Sequence, residues 1–297
     1  TQLALLVGRL LIAGRLLKRS IRMIRNRNKG GLQMIGAIVG DIVGSVYEWH
    51  NIKTKDFPFF RPDCFFTDDT VMTCAVYRAI RDFKDGAVPN LDRALTETMQ
   101  LFGRHYPGRR YGGYFKRWIF SGAPRPYNSF GNGAAMRVSA AGFLAESLEE
   151  ARALARSSAG VTHNHPEGIK GAVATAEGIF LARGGASLAE IRSALSAYYD
   201  LDFTLDAIRP DYEFDVTCQG TVPQAIVAFL ESEGFEDAVR NAISIGGDSD
   251  TLAAITGSLA EGFYGVPDPI RRHALSILDD GLRSLALTFP EPRRPRP

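Results

Sequence analysis

Apolar residues recur at helical spacing almost without interruption from Met34 onward. Met72, Val76, Ala79, Ile80 and Phe83 fall on one stripe, and Leu252, Ile255, Leu259 and Phe263 on a second. Ile226, Phe229 and Leu230 belong to a third. Ser147 is placed to cap a helix from Leu148 to near Ser158, and Ser187 to cap one that runs through Tyr199. Gly- and Pro-rich breaks at 84–90, 106–113, 121–133 and 184–186 separate the periodic stretches. Alternating strand patterns are scarce, and neither a repeat period nor a low-complexity linker divides residues 34–288. The pattern predicts one compact all-α domain of roughly ten helices.

The first helix has an unusual composition. Gly36, Gly40 and Gly44 line one edge, where another helix can approach closely. Each glycine costs a helix interior about 1 kcal/mol against alanine, so three of them need a compensating reason. Membrane dimerisation is a poor one, because Asp41 and Glu48 lie in the same segment. Their separation of seven residues predicts one shared helical face. They read either as solvated acids or as carboxylates lowered into a site by tight packing.

Thr67-Asp68-Asp69-Thr70 opens the helix that carries the Met72 stripe. Taken alone it is a capping sequence, with acids that complement the helix dipole. A second segment changes that reading. Ile245-Gly246-Gly247-Asp248-Ser249-Asp250-Thr251 repeats two carboxylates and a threonine at the mouth of the Leu252 helix. Both clusters offer hard oxygen ligands of the kind Mg²⁺, Mn²⁺ or Ca²⁺ require. The EF-hand ligand pattern is absent, as are the H-E-x-x-H and E-x-x-H patterns of zincins and di-iron bundles. The leading expectation is a dinuclear site formed where two distant segments meet.

Two more segments read as a ligand cradle. Asn128-Ser129-Phe130-Gly131-Asn132-Gly133-Ala134-Ala135-Met136-Arg137 is Gly-rich and leads into a helix, so its backbone N–H groups can face phosphate, although a plain loop has the same composition. Thr162-His163-Asn164-His165-Pro166 precedes a helix that begins near Glu167. Its histidines lack a nearby cysteine or third histidine, which favours polar contacts to phosphate or ribose over metal binding.

Charge and cysteine content set limits. The 297 residues are 45% hydrophobic and 23% charged, a composition that excludes wholesale disorder. Cys64, Cys74 and Cys218 show no C-x-x-C spacing, which argues for a reducing cytoplasm over a disulfide framework. The net charge of +2 hides eight Lys/Arg and no acid in residues 1–33, which leaves 27 bases against 33 acids in the rest. An acidic body gives no reason to expect nucleic-acid binding. The basic segment resembles a surface-membrane or targeting helix, or else lies upstream of a natural start at Met34. Arg9 and Arg15 interrupt its apolar run, so it is no transmembrane span. The tail at 289–297 is rich in Pro and Arg and is expected to be disordered.

Taken together, Gly36 to Glu48, Thr67 to Thr70, Ser129 to Arg137, Thr162 to Pro166 and Gly246 to Thr251 resemble the ADP-ribosylglycohydrolase family. The five pieces stand in the family's order and cover residues 34–265. The resemblance implies an all-α domain with two Mg²⁺ ions, or Mn²⁺ in some members, at the floor of an ADP-ribose cleft. By position, Thr67, Asp68, Asp69 and Asp250 would hold one ion, and Asp248, Asp250 and Thr251 the other, with Asp250 bridging. Glu48 matches a glutamate that approaches the metals, and Glu48, Asp68 and Asp250 are the expected catalytic residues. Gly112, Gly113, Ser129, Phe130, Gly131, Asn132 and His163 are the expected substrate contacts, with Phe130 standing where tyrosine is common.

The activity this implies is hydrolysis of the bond between ADP-ribose and an arginine or serine side chain, or a related small molecule, by a cytoplasmic monomer. Water would attack C1″ of the distal ribose through an oxocarbenium-like transition state, with Glu48 or a metal-held carboxylate taking the proton. Two other readings compete: a non-catalytic ADP-ribose or nucleotide binder, and another dinuclear-metal hydrolase on the same fold. The intact acidic clusters weigh against the binder.

Overall fold

Three glycines decide how the core is assembled. In the computed structural model, which describes residues 34–289, they lie along α1 (Gly36–Gly44). The chain continues through α2 (Asp68–Lys84), α3 (Leu91–His105), α4 (Gly113–Phe120), α5 (Gly133–Met136), α6 (Ser139–Leu144) and α7 (Leu148–Gly160). Then follow α8 (Pro166–Gly184), α9 (Leu188–Leu195), α10 (Leu205–Ile208), α11 (Cys218–Leu230) and α12 (Phe235–Ser244). The series ends with α13 (Ser249–Tyr264), α14 (Asp268–Ile277) and α15 (Asp280–Ala286). Among the described residues the only extended pairing is one isolated bridge, Gly131 to Thr217. The fold is all-α, as the periodicity predicts.

The central helix is α13, whose residues Ser249 to Phe263 are all buried. A helix enclosed on every side belongs at the middle of a core. α1 lies directly against it: a Cβ on Gly40 would run into the Ala253 backbone, and one on Gly44 would sit 2.5 Å from Asp250 Cα. That approach is the compensation for the three glycines. It also ties the two helices at their ends, because the Gly36 N–H donates to the buried Glu261 carboxylate of α13 at 2.7 Å. α8, α11 and α12 complete the shell around α13, while α3 and α4 pack outside α2. The Leu252 and Ile226 stripes are fully inside, and the Met72 stripe is buried up to Phe83, which is 36% exposed.

Several expectations need correction. α1 stops at Gly44, so Glu48 lies in the turn beyond it and shares no helical face with Asp41. A separation of seven aligns two residues only along a continuous helix, and the chain ends this one early, at a Ser45 whose hydroxyl donates back to the Ile42 carbonyl. Ser187 caps its helix through a full capping box, but that helix ends at Leu195, short of Tyr199. Among the described residues there are fifteen helices where roughly ten are expected, because the short ones, such as the four-residue α5 and α10, carry too few residues for a periodic signal. The basic segment 1–33 and most of the tail lie outside the described residues. Among the described residues no helix is long and apolar enough to cross a membrane.

Candidate active site

Two helix N-termini, those of α2 and α13, bring their acids together beside α1. The chain reaches α13 through Gly246 and Gly247, both at positive φ (76° and 73°), a conformation that favours glycine. This turn is clamped from outside. The Asn51 side chain accepts from Gly247 N–H at 2.8 Å and donates to the Gly247 carbonyl at 2.9 Å. Lys53 Nζ donates to the Tyr212 and Ile245 carbonyls, both at 2.6 Å. Asp248 and Asp250 therefore project from a fixed turn.

At α2 the cap comes from two sources. Thr67 Oγ1 accepts from Asp69 N–H at 3.3 Å. Asp41 of α1 accepts from Thr67 N–H at 2.9 Å, Thr67 Oγ1 at 2.7 Å and Thr70 N–H at 3.1 Å, and also from the Thr70 hydroxyl. With these donors filled by Asp41, the carboxylates of Asp68 and Asp69 are spared for other work. Of the two readings open for Asp41, a solvated acid or a carboxylate lowered into a site by tight packing, the structure shows the second. The signal for Asp41 was its place inside the glycine repeat.

One oxygen each of Asp41, Asp69 and Asp250 lie within 4.8 Å of one another, as do oxygens of Glu48, Asp248 and Asp250. Asp250 belongs to both groups. Asp68 stands beside them, half-buried in the cleft wall. Burial first, and then the neighbouring carboxylates, push Asp68, Asp69 and Asp250 well above the usual carboxylate range. Burial also raises Asp41, Asp248 and Glu48. Thr251 Oγ1 donates to Asp69 Oδ2 at 3.3 Å and Asn132 Nδ2 to Asp248 Oδ2 at 2.7 Å. Asp69 Oδ1 is buried with no hydrogen-bond partner. An orphaned buried carboxylate oxygen among crowded acids, all of them hard donors, fits a divalent cation. Glu48 is held by an ion pair with Arg110, whose φ of 67° lies in the left-handed region.

These acids floor a cleft with a cavity volume of about 380 Å³, within the range of small-molecule sites. Gly112 and Gly113 line it, and a Cβ on either would meet nothing within 4 Å, which leaves room for a ligand. Ser129, Gly131, Asn132 and His163 line it as well. Phe130 does not: it is 45% exposed and packs edge-on against His165. The loop is turned by its pairing with the segment that leads into α11, where the N–H of Cys218, the first residue of that helix, donates to the Phe130 carbonyl at 2.9 Å and Asn132 N–H donates to the Val216 carbonyl at 2.8 Å. Alternation along that extended stretch points Phe130 away from its neighbours Ser129 and Gly131. Thr67, too, is fully buried behind Asp69, outside the cleft lining. His165 caps α8 through Nδ1, which accepts from Glu167 N–H at 3.1 Å.

Other cleft residues were missed in the sequence. Trp49 and Phe214 stack at 5.1 Å beside Glu48 although 65% and 41% exposed. Tyr114 stacks on Tyr127 further along. Arg137 sits in the wall, fully buried, and burial lowers its guanidinium to about 10, still a cation at neutral pH. An isolated aromatic carries no signal of its own, but Arg137 closes the Gly-rich motif, and an Arg at the end of an apolar Ala-Ala-Met run is a legible cue.

A family model for ADP-ribosylglycohydrolase matches residues 23–295. The chain belongs to the ADP-ribosylglycohydrolase family and is a hydrolase of glycosyl bonds. It is similar to ADP-ribosylhydrolase ARH3 of Homo sapiens, at 26% identity over a 313-residue alignment that covers 78% of this chain and 84% of the relative. The Mus musculus protein of the same name is also 26% identical, with 83% of its length covered. A solved structure described as an "ADP-ribosylglycohydrolase-related protein complex" superposes with a TM-score of 0.63 at 25% identity, covering 89% of this chain and 97% of that one.

Proposed function

We propose that the chain hydrolyses the bond between ADP-ribose and an arginine or serine side chain, or a related small molecule, with two Mg²⁺ or Mn²⁺ ions held between α2 and α13. The observation that carries this reading is the position of Asp250 in both carboxylate groups, where one residue can serve two cations. Thr67, Asp68, Asp69 and Asp250 would hold one ion, and Asp248, Asp250 and Thr251 the other. The Thr67 hydroxyl donates its proton to Asp41, so its lone pairs are what it offers a metal. Bound there, the ions supply Lewis-acid polarisation of the distal ribose hydroxyls and of the attacking water.

This chain's own residues do the rest. Asp41 fixes the start of α2, and Asn132 holds Asp248 from the glycine loop. Glu48 faces Asp248 and Asp250 with a raised affinity for protons, caused chiefly by burial, which suits it to take one from the water that attacks C1″. Gly112, Gly113, Ser129, Gly131 and His163 line the same cleft and take the diphosphate and adenosine. The stacked Trp49 and Phe214 stand next to Glu48 at the mouth, and we place the acceptor against them. A planar guanidinium gains most from such a surface.

The test is Mg²⁺-dependent ADP-ribose release from arginine-linked and serine-linked peptides, with Asp250→Ala alongside. Activity in the parent and its loss in the variant is the expected result. Equal activity in both, or none in the parent on any acceptor, overturns the mechanism.

A further inference from the structure

Arg137 is fully buried and, among the described residues, has no ion-pair partner. Its Nη2 donates to the Ser158 carbonyl at 2.8 Å and to Thr162 Oγ1 at 2.6 Å, and its Nε is buried without a partner. A guanidinium only donates, so the Thr162 oxygen must accept from it. The Thr162 hydroxyl proton then has two places to go. His163 Nδ1 lies 2.7 Å away and the Ala159 carbonyl 3.4 Å away, the latter at the outer limit of a hydrogen bond. The shorter bond makes Nδ1 the acceptor, and a neutral imidazole that accepts at Nδ1 carries its proton on Nε2.

The other ring nitrogen faces the glycine loop. A Cβ built on Gly131 or on Gly133 would sit 3.4 Å from His163 Nε2. Both positions are glycine, so Nε2 is left facing open space in the cleft. Burial and the Arg137 charge both hold the ring well below the usual histidine range, which keeps it neutral at physiological pH. The opposite tautomer would present a lone pair to the loop and leave the Thr162 proton on a long bond. We propose that Arg137 and Thr162 are positioning residues that lock His163 as a neutral Nε2–H donor, aimed at a phosphate oxygen of the ligand held by the Gly131–Gly133 loop. Only the ligand's identity in this inference rests on the ADP-ribose reading.

Proton–nitrogen correlation spectra of protein carrying nitrogen-labelled histidine read the tautomer directly, with His163→Gln identifying the resonance among five histidines. The expected wild-type spectrum has bare Nδ1 and protonated Nε2 at His163 near neutral pH. An Nδ1–H ring, or an imidazolium, overturns the proposal without any variant. Thr162→Val removes the donor to Nδ1: the Nε2–H signature is expected to be lost and ADP-ribose to bind about tenfold more weakly, while Thr162→Ser keeps both. A Thr162→Val protein with unchanged tautomer and affinity refutes the lock. The expected tautomer and its loss in Thr162→Val, in a protein that binds no ADP-ribose, upholds the lock and refutes the reading of the ligand.

Discussion

At one end of the cleft Glu48, Asp68, Asp69, Asp248 and Asp250 crowd together, with Arg110 the cation that pairs with Glu48. At the other, Arg137 is buried close to a neutral His163 and has no ion-pair partner among the described residues. Each end is electrostatically incomplete, and in opposite senses. The glycines differ in the same way. Gly40 and Gly44 exist because a Cβ would collide with α13, whereas Gly112 and Gly113 face empty space. One set draws helix ends together to concentrate acid; the other leaves room for a ligand. A molecule with an anionic diphosphate and a ribose that meets divalent cations would balance both ends at once.

The acid end can be broken most completely at Asp250. Asp250→Asn removes the residue common to both groups, and we expect kcat/KM to fall by about a thousandfold or more, with divalent-ion binding lost by calorimetry. The same substitution should stabilise the metal-free protein by about 1 kcal/mol in urea melts, because Asp250 is buried among like charges. Loss of activity together with loss of stability would mean that Asp250 is a structural residue. The clamp on the glycine turn gives a smaller effect. Lys53→Met frees the Tyr212 and Ile245 carbonyls, and Asn51→Ala frees Gly247. Either change should weaken Mn²⁺ binding by about 10–100-fold in titrations, as outer-sphere supports of metal ligands do. Ser129→Ala in the glycine loop should leave Mn²⁺ binding unchanged, which keeps the two ends separable.

The difference between the ends also explains what the sequence could reveal. The helices of the core were legible because α2, α11 and α13 are long enough to repeat an apolar stripe. Asp68, Asp69, Asp248 and Asp250 were legible because two segments repeat the same oxygen chemistry. Glu48 was found for a partly wrong reason, since its face was reckoned along a helix that ends at Gly44. Phe130 is expected in the site from its position in the family's motif, and pairing with the 216–218 segment turns it out. Trp49, Phe214 and Arg110 came together only through tertiary packing, which no local pattern encodes. Arg137 and Thr162 lay inside motifs already singled out, but their joint role depends on a contact between them across 25 positions of chain.

Protons should compete with cations at the acid end and leave the cradle end unaffected. The carboxylates of Asp68, Asp69 and Asp250 hold protons more tightly in the fold than at their ordinary value of 3.8. Folding therefore favours their protonated forms. That contribution to the stability of the metal-free protein is fully present below the ordinary value and is lost as pH rises through the raised native values. Divalent binding must displace those protons, so its apparent affinity should rise with pH, by up to about tenfold per unit for each proton released. Melting curves with and without Mg²⁺ at about pH 6 and about pH 8 check the sign: the Mg²⁺-induced rise in Tm should be larger at the higher pH. An equal rise at both would show that the acids are already ionised in the free protein.

The smallest expected effect lies at the mouth and sharpens which acceptor the acid end serves. Trp49 and Phe214 keep apolar faces in solvent, an arrangement that folding alone does not reward. Stacking of a guanidinium on such a face contributes on the order of 0.5–2 kcal/mol. Trp49→Ala should therefore lower kcat/KM for an arginine-linked peptide by about three- to tenfold. For a serine-linked peptide, whose acceptor has no planar group, it should change kcat/KM by less than about twofold. Divalent-ion binding should stay at the parent value, since Trp49 offers no ligand atom to the acids. An equal loss on both substrates would place the aromatic pair against the ADP-ribose half and move the acceptor to another wall of the cleft.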